Sequence, residues 1–157
     1  MEELSKNLSV AEVIKSNTAT YNGIDNSPSP EHLENLKAFA EVIFQPMRDA
    51  LGPISISSGY RSEALNNAIK GASKTSQHSK GEALDLDNDF KEGRATNTEI
   101  FEYVRENLDF DQLIWEYGTK EKPDWVHVSY KKDGGNRGEI LRCKRVNGKP
   151  KYYNYED

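Results

Sequence analysis

The chain contains three histidines, and two of them, His78 and His127, lie in polar segments that the surrounding pattern displays on a strand or on the loop leading into one. His78 stands seven positions before Asp85, a spacing that lets a loop residue and a residue of the adjoining strand converge on one point. His78, Asp85 and His127 would together supply two nitrogens and one oxygen. A catalytic zinc site takes three such protein ligands and keeps a fourth position for water. His32 falls in a helix first turn and fits a hydrogen-bonded structural role instead. The lone Cys143 excludes an intramolecular disulfide and a cysteine-rich zinc knuckle, so a metal site here must use His and carboxylates.

Two more residues complete a hydrolytic constellation. Asp124 stands three residues before His127, behind the backbone restraint of Pro123, where it is a candidate general base toward a metal-bound water. The plain alternative is a loop carboxylate that happens to follow proline. Arg61, in Ser57-Ser-Gly-Tyr-Arg-Ser62, is placed to hold a substrate carboxylate or a developing oxyanion, the alternative being a surface salt bridge.

The elements that must position these groups are readable from periodicity and caps. Residues 82–87 (EALDLD) alternate, with Leu84 and Leu86 on one face and Ala83, Asp85 and Asp87 on the other. Residues 125–130 (WVHVSY) alternate likewise, with His127 opposite Val126 and Val128. Residues 54–58 and 112–116 read as further strands, and 139–146 and 149–155 as a hairpin closed by Asn147-Gly148. Ser9-Val-Ala-Glu12 and Thr96-Asn-Thr-Glu99 are capping boxes that open helices. Ser29-Pro30 starts a longer helix with Leu33, Leu36, Ala40, Ile43, Phe44 and Met47 on one face, which Pro46 is expected to kink or break late. Residues 62–70 suit a helix and 71–77 a polar loop. This order predicts an α+β fold, an antiparallel sheet with helices packed on one side.

Length and composition fit one domain over 1–157, with a short N-terminal helical segment over 1–28 set off by the turn-rich 22–30. Mean hydropathy is −0.85, and no apolar run approaches the roughly 18 residues of a membrane span, so no membrane insertion is expected. The first residues carry acids where a secretory signal carries basic residues, so synthesis in the cytoplasm without a signal peptide is expected. A net charge of −5 argues against bulk nucleic-acid binding. Residues 131–151 nevertheless hold eight Lys or Arg against Asp133 and Glu139. This basic stretch reads either as a solvated hairpin face or as a contact for an anionic polymer such as a cell wall, and with Tyr152, Tyr153 and Tyr155 it leaves a weaker nucleic-acid reading open.

Ser57 to Ser62, Ser76-Gln-His-Ser-Lys-Gly-Glu-Ala-Leu-Asp85 and Asp124-Trp-Val-His127 resemble the zinc D-alanyl-D-alanine carboxypeptidase and peptidoglycan endopeptidase family, with its Hedgehog/DD-peptidase-like fold. The family pattern is Ser-x-His, six intervening residues and Asp, then a carboxylate two residues clear of a second His. The resemblance runs from near Asn7 to about Arg142, takes in Phe110 to Glu116 and Asn136-Arg-Gly138, and is nearest to the compact single-domain members of bacteriophages and prophages.

The resemblance implies Zn2+ at His78, Asp85 and His127, Asp124 as general base and proton shuttle, Arg61 polarising the scissile carbonyl or holding substrate, and Ser76 and Gln77 lining the cleft. Many relatives carry Glu where Asp124 stands, one methylene longer. Glu116 reads either as support for a metal histidine or as a strand-end salt bridge. The expected function is hydrolysis of D-amino-acid-containing stem or cross-linking peptides of peptidoglycan by a monomer, reached on the wall after release, as for a phage lysis protein. The alternative is a non-catalytic zinc-containing module for wall binding or phage assembly.

Overall fold

Strands form where the alternation places them, and their pairing carries the site. The computed structural model describes residues 2–70, 72–73 and 75–156. Its main sheet has six strands: β3 (Ile56–Ser58), β4 (Ala83–Leu86), β5 (Gln112–Glu116), β6 (Trp125–Ser129), β7 (Glu139–Val146) and β8 (Lys149–Asn154), in the order β3-β4-β6-β5-β7-β8. Each neighbouring pair is antiparallel except β5 and β7, which run parallel from Gln112↔Glu139 to Glu116↔Cys143. Two antiparallel strands can be joined by a tight turn, whereas a parallel partner needs a longer return. Residues 130–138 supply that return around the end of the sheet.

One face of the sheet is aliphatic. Leu84, Leu86, Leu113, Trp115, Val126 and Val128 are buried in one cluster with side chains from α3 (Pro30–Phe39), α4 (Gln45–Leu51) and α6 (Asn97–Asn107). The helices therefore cover this face and leave the other to polar groups, as an α+β reading predicts. Thr96 and Glu99 form the expected capping box at α6, and Ser29 accepts from His32 N at the start of α3.

Pro46 does not break its helix. The chain passes from α3 through a π-helical turn, Ala40–Phe44, into α4 and stops at Gly52, whose φ is 83°. A proline lacks the amide and its ring collides with the carbonyl four residues back. A wider turn just upstream accommodates both effects while Ile43, Phe44 and Met47 stay in the core.

The N-terminal segment is not purely helical. A small hairpin, β1 (Glu3–Ser5) with β2 (Leu8–Ser9), precedes α1 (Val10–Ile14) and α2 (Asn17–Asn22). Leu4, Leu8, Val10 and Val13 enter the same core cluster as the helices. α5 (Glu63–Ala68) is shorter than the 62–70 pattern suggests. Of the expected 71–77 loop, Gly71 and Lys74 lie outside the described residues, and Gln77–Lys80 close it as a 3-10 turn. Asn147 and Gly148 both take positive φ, 52° and 76°, the backbone that a two-residue hairpin turn between right-twisted strands requires.

Candidate active site

The polar face of the sheet gathers the expected metal ligands. Asp85 on β4 pairs directly with His127 on β6, and Oδ1 lies 2.9 Å from His127 Nδ1. The 3-10 turn that brings in His78 is capped by Ser76, whose hydroxyl accepts from His78 N at 3.2 Å. His78 is 3% exposed, and its Nδ1 lies 2.9 Å from the Gly59 carbonyl. That carbonyl can only accept, so Nδ1 donates and Nε2 is left as the lone-pair nitrogen. Nε2 sits 3.4 Å from Asp85 Oδ1, buried and without a hydrogen-bond donor.

These donors fit zinc. One ligand atom from each of His78, Asp85 and His127 lies within 4.8 Å of the others. Zinc–nitrogen and zinc–oxygen bonds of about 2.0–2.1 Å at a tetrahedral angle put neighbouring donors roughly 3.3 Å apart, and His78 Nε2 and Asp85 Oδ1 stand at 3.4 Å. A buried imidazole nitrogen with a free lone pair beside a carboxylate is also the group that a cation would satisfy. Burial raises the Asp85 carboxyl, but His78 and His127 outweigh it and hold the group well below the usual carboxylate range.

Glycine and asparagine set this geometry. A Cβ on Gly59 would lie 2.0 Å from the Val13 carbonyl oxygen, so only glycine lets the turn come this close to α1. Buried Asn26 donates to the carbonyls of Ile14 and Tyr60 and accepts from Ser62 N. It thereby clamps the turn that carries Arg61. Arg61 N donates to the His78 carbonyl at 3.1 Å, its Nη1 reaches Asn66 Oδ1 at 3.5 Å, and its buried Nε has no partner. Burial lowers the Arg61 pKa against the opposing effect of Asp85. His32 Nδ1 lies 2.9 Å from the Tyr60 hydroxyl, a structural position away from the ligand group.

A cleft of about 940 Å³ opens over the site, lined by Arg61, Ser76, Gln77, His78, Asp85 and His127 among others. Gln77 donates to Asp111 Oδ2 at 3.1 Å. Asp111 is fully buried and takes Nε and Nη2 of Arg137 at 3.0 and 2.8 Å, which fixes Arg137 on the cleft wall with its charge compensated.

The expected base is not brought into the cleft. Asp124 is exposed, precedes the first residue of β6, and is absent from the cleft lining. The carboxylate that does line the cleft is Glu116, at the end of β5, 7% exposed and opposite Trp125 on β6. Burial and the charge of Asp85 push its carboxyl up to about 7 against the pull of His127. Cys143, Tyr117 and Tyr152 surround it. The sequence reading of Glu116 as support for a metal histidine fits this place, and the alternation of Gln112, Ile114 and Glu116 against Leu113 and Trp115 sets it on the cleft face.

The family model described as Peptidase M15 matches residues 6–129, a span that holds Arg61, His78, Asp85, Glu116, Asp124 and His127 and ends before the β7–β8 hairpin. No curated protein matches the chain.

Proposed function

The chain belongs to the peptidase M15 family, and from that premise we propose that it is a zinc peptidase cutting D-amino-acid-containing stem or cross-linking peptides of peptidoglycan. The observation that carries this reading is the convergence in one cleft of the His78–Asp85–His127 group with Arg61 and a buried carboxylate, Glu116. A desolvated carboxylate in the same cleft as a metal group supplies what proton transfer needs and favours catalysis over binding alone.

Zinc held by His78, Asp85 and His127 would supply a Lewis acid and a lowered pKa for a water in its open position. Glu116 accepts the proton from the attacking water and returns it to the leaving amine, a task suited to a carboxylate whose pKa burial has raised. Arg61 donates to the carbonyl oxygen as negative charge develops there. Its guanidinium is held in place by the Asn66 contact and by the turn that Asn26 clamps. Gln77 and Ser76 contribute to the cleft wall, with Lys131 and the Asp111-bound Arg137 beside them. Asp124, exposed to solvent, handles no proton in this scheme.

We also propose that the chain acts as a monomer. Among the described residues no helix is long and apolar enough to cross a membrane. We place the site of action on the wall, reached after release, as in phage lysis.

The test is chromatography of a soluble stem peptide containing D-residues beside its all-L analogue, each incubated with zinc-loaded protein. Cleavage of the first and sparing of the second supports the proposal. Both intact would leave the non-catalytic wall module as the better reading.

A further inference from the structure

The floor of the cleft continues past the metal group onto the β7–β8 hairpin, which lies beyond the family match. Residues paired in register on neighbouring strands point to the same side of a sheet. One such row runs Asp85, His127, Ile114 and Leu141 across β4, β6, β5 and β7. A second runs Trp125, Glu116, Cys143 and Tyr152 across β6, β5, β7 and β8. Pro150 stands two residues before Tyr152 and shares its side. Ile114, Leu141, Pro150 and Tyr152 all line the cleft. From β6 to β8 this floor crosses three strand spacings, about 14 Å, which an extended peptide covers in about four residues.

The hairpin also holds the wall of this extension. Tyr117 follows β5 with a φ of 54°, a backbone that tyrosine adopts rarely and keeps only where its surroundings fix it. Strand β7 fixes it: Tyr117 N donates to the Cys143 carbonyl at 2.9 Å, and Arg142 Nη1 donates to the Tyr117 carbonyl at 3.1 Å. The Tyr117 ring, which lines the cleft, meets Trp125 at 5.3 Å between centroids and the Arg145 guanidinium at 4.8 Å.

Protection of a sheet edge accounts for Pro150, since β8 is the last strand. It does not account for Leu141, which stands on β7 inside the sheet, or for Tyr152, a ring 52% exposed at the cleft. A dipeptide spans only the groups around the metal, so this floor is covered only by a longer substrate.

We infer that Leu141, Pro150 and Tyr152, walled by Tyr117, form a distal subsite for short aliphatic side chains of a stem peptide, about three or four residues from the cut. This rests on the peptidase reading of the same cleft. The occupant is the peptide rather than the glycan, because sugar hydroxyls buried there would lose water and gain no hydrogen bond from the Leu141 and Pro150 side chains.

The test compares three soluble peptides that share one D-residue-containing scissile bond: an end-blocked dipeptide, and the same pair lengthened by three residues before or after the cut. The native zinc-loaded chain should cleave one lengthened peptide with kcat/KM at least about tenfold above the dipeptide, the gain expected of a filled apolar subsite. Tyr152→Ala and Leu141→Ala should each lose most of that gain, and Tyr152→Phe, which keeps the ring, should retain it. The gain is a ratio within each chain, so an effect on the chemical step common to both peptides cancels, and thermal melts report folding. Equal kcat/KM for all three peptides overturns the inference, as does a gain that survives both alanine variants. Cleavage of no peptide by the native chain would instead defeat the peptidase reading. Calorimetric binding of the same peptides then decides the subsite, which requires the native chain to bind one lengthened peptide more tightly than Tyr152→Ala does.

Discussion

The amide of Asp124 donates to the carbonyl of Glu116 at 2.8 Å, so the two residues are neighbours across β5 and β6, yet only the Glu116 carboxylate lines the cleft. Glu116→Gln should lower kcat by about 10²–10⁴ with zinc content unchanged, the loss typical of a removed proton-transfer group. Asp124→Asn should keep kcat within about threefold of native, because surface changes away from the reacting atoms have small effects. Steady-state kinetics beside zinc analysis check both.

A base works only when deprotonated, so activity falls as pH drops through its pKa. Burial raises Glu116 above its ordinary 4.5. The acid limb of kcat/KM should therefore lie above 4.5, and the residual activity of Glu116→Gln should lack that limb. A pH–rate profile reads it.

Removing a ligand should uncouple metal from fold. His78→Ala and Asp85→Asn should bind less than one zinc per chain, and zinc should no longer raise their Tm. The native Tm should rise with zinc by mass action, since a ligand that binds only the folded state stabilises it. Thermal melts with and without a chelator measure this.

How the site could be seen in advance follows from which interactions are local. Leu84, Leu86, Val126 and Val128 alternate against Asp85 and His127, and a strand's period of two is enough to place those side chains together. The Thr96–Glu99 box and Asn147-Gly148 are similarly local signals. The parallel pairing of β5 with β7 is set by residues more than twenty apart and leaves no mark in either segment. Asp124 is close to His127 in the chain, but it precedes β6 and its exposed side chain does not line the cleft. Glu116 is legible in the sequence as support for a metal histidine, and the register that sets it opposite Trp125, two residues from His127, brings it into the cleft. Asn26 sits in a turn-rich stretch where an asparagine is unremarkable, and its clamp on Tyr60 and Ser62 needs the tertiary fold.

Asp111 and Arg137 should set acid stability. Burial raises the Asp111 carboxyl, but hydrogen bonds from the Arg137 side chain and amide outweigh it and bring it to about 2, below the ordinary 3.8. A depressed folded-state pKa gives stability that is present above about 3.8 and lost as pH falls toward about 2. Arg137→Ala should cost roughly 1.5–3 kcal/mol at neutral pH by leaving a buried carboxylate short of its donors. Its unfolding should then vary less with pH between 4 and 2 than that of the native chain, as denaturant titrations would record.

Gly59→Ala should damage the site from a distance. The new Cβ would lie 2.0 Å from the Val13 oxygen, so the turn must move and take with it the carbonyl that orients His78. Zinc affinity should fall by about tenfold or more, as for other losses of a ligand's hydrogen-bond partner, and competition with a chromogenic chelator would measure it.

The central claim is that zinc held by His78, Asp85 and His127 and a base at Glu116 act together on peptidoglycan peptides. It is tested most directly by mass spectrometry of peptidoglycan fragments after incubation with native chain plus zinc, native chain plus chelator, and zinc-loaded Glu116→Gln. The account predicts shortened stem peptides or opened cross-links in the first sample alone. Fragments intact in all three, or cut equally by the Gln variant, would contradict it.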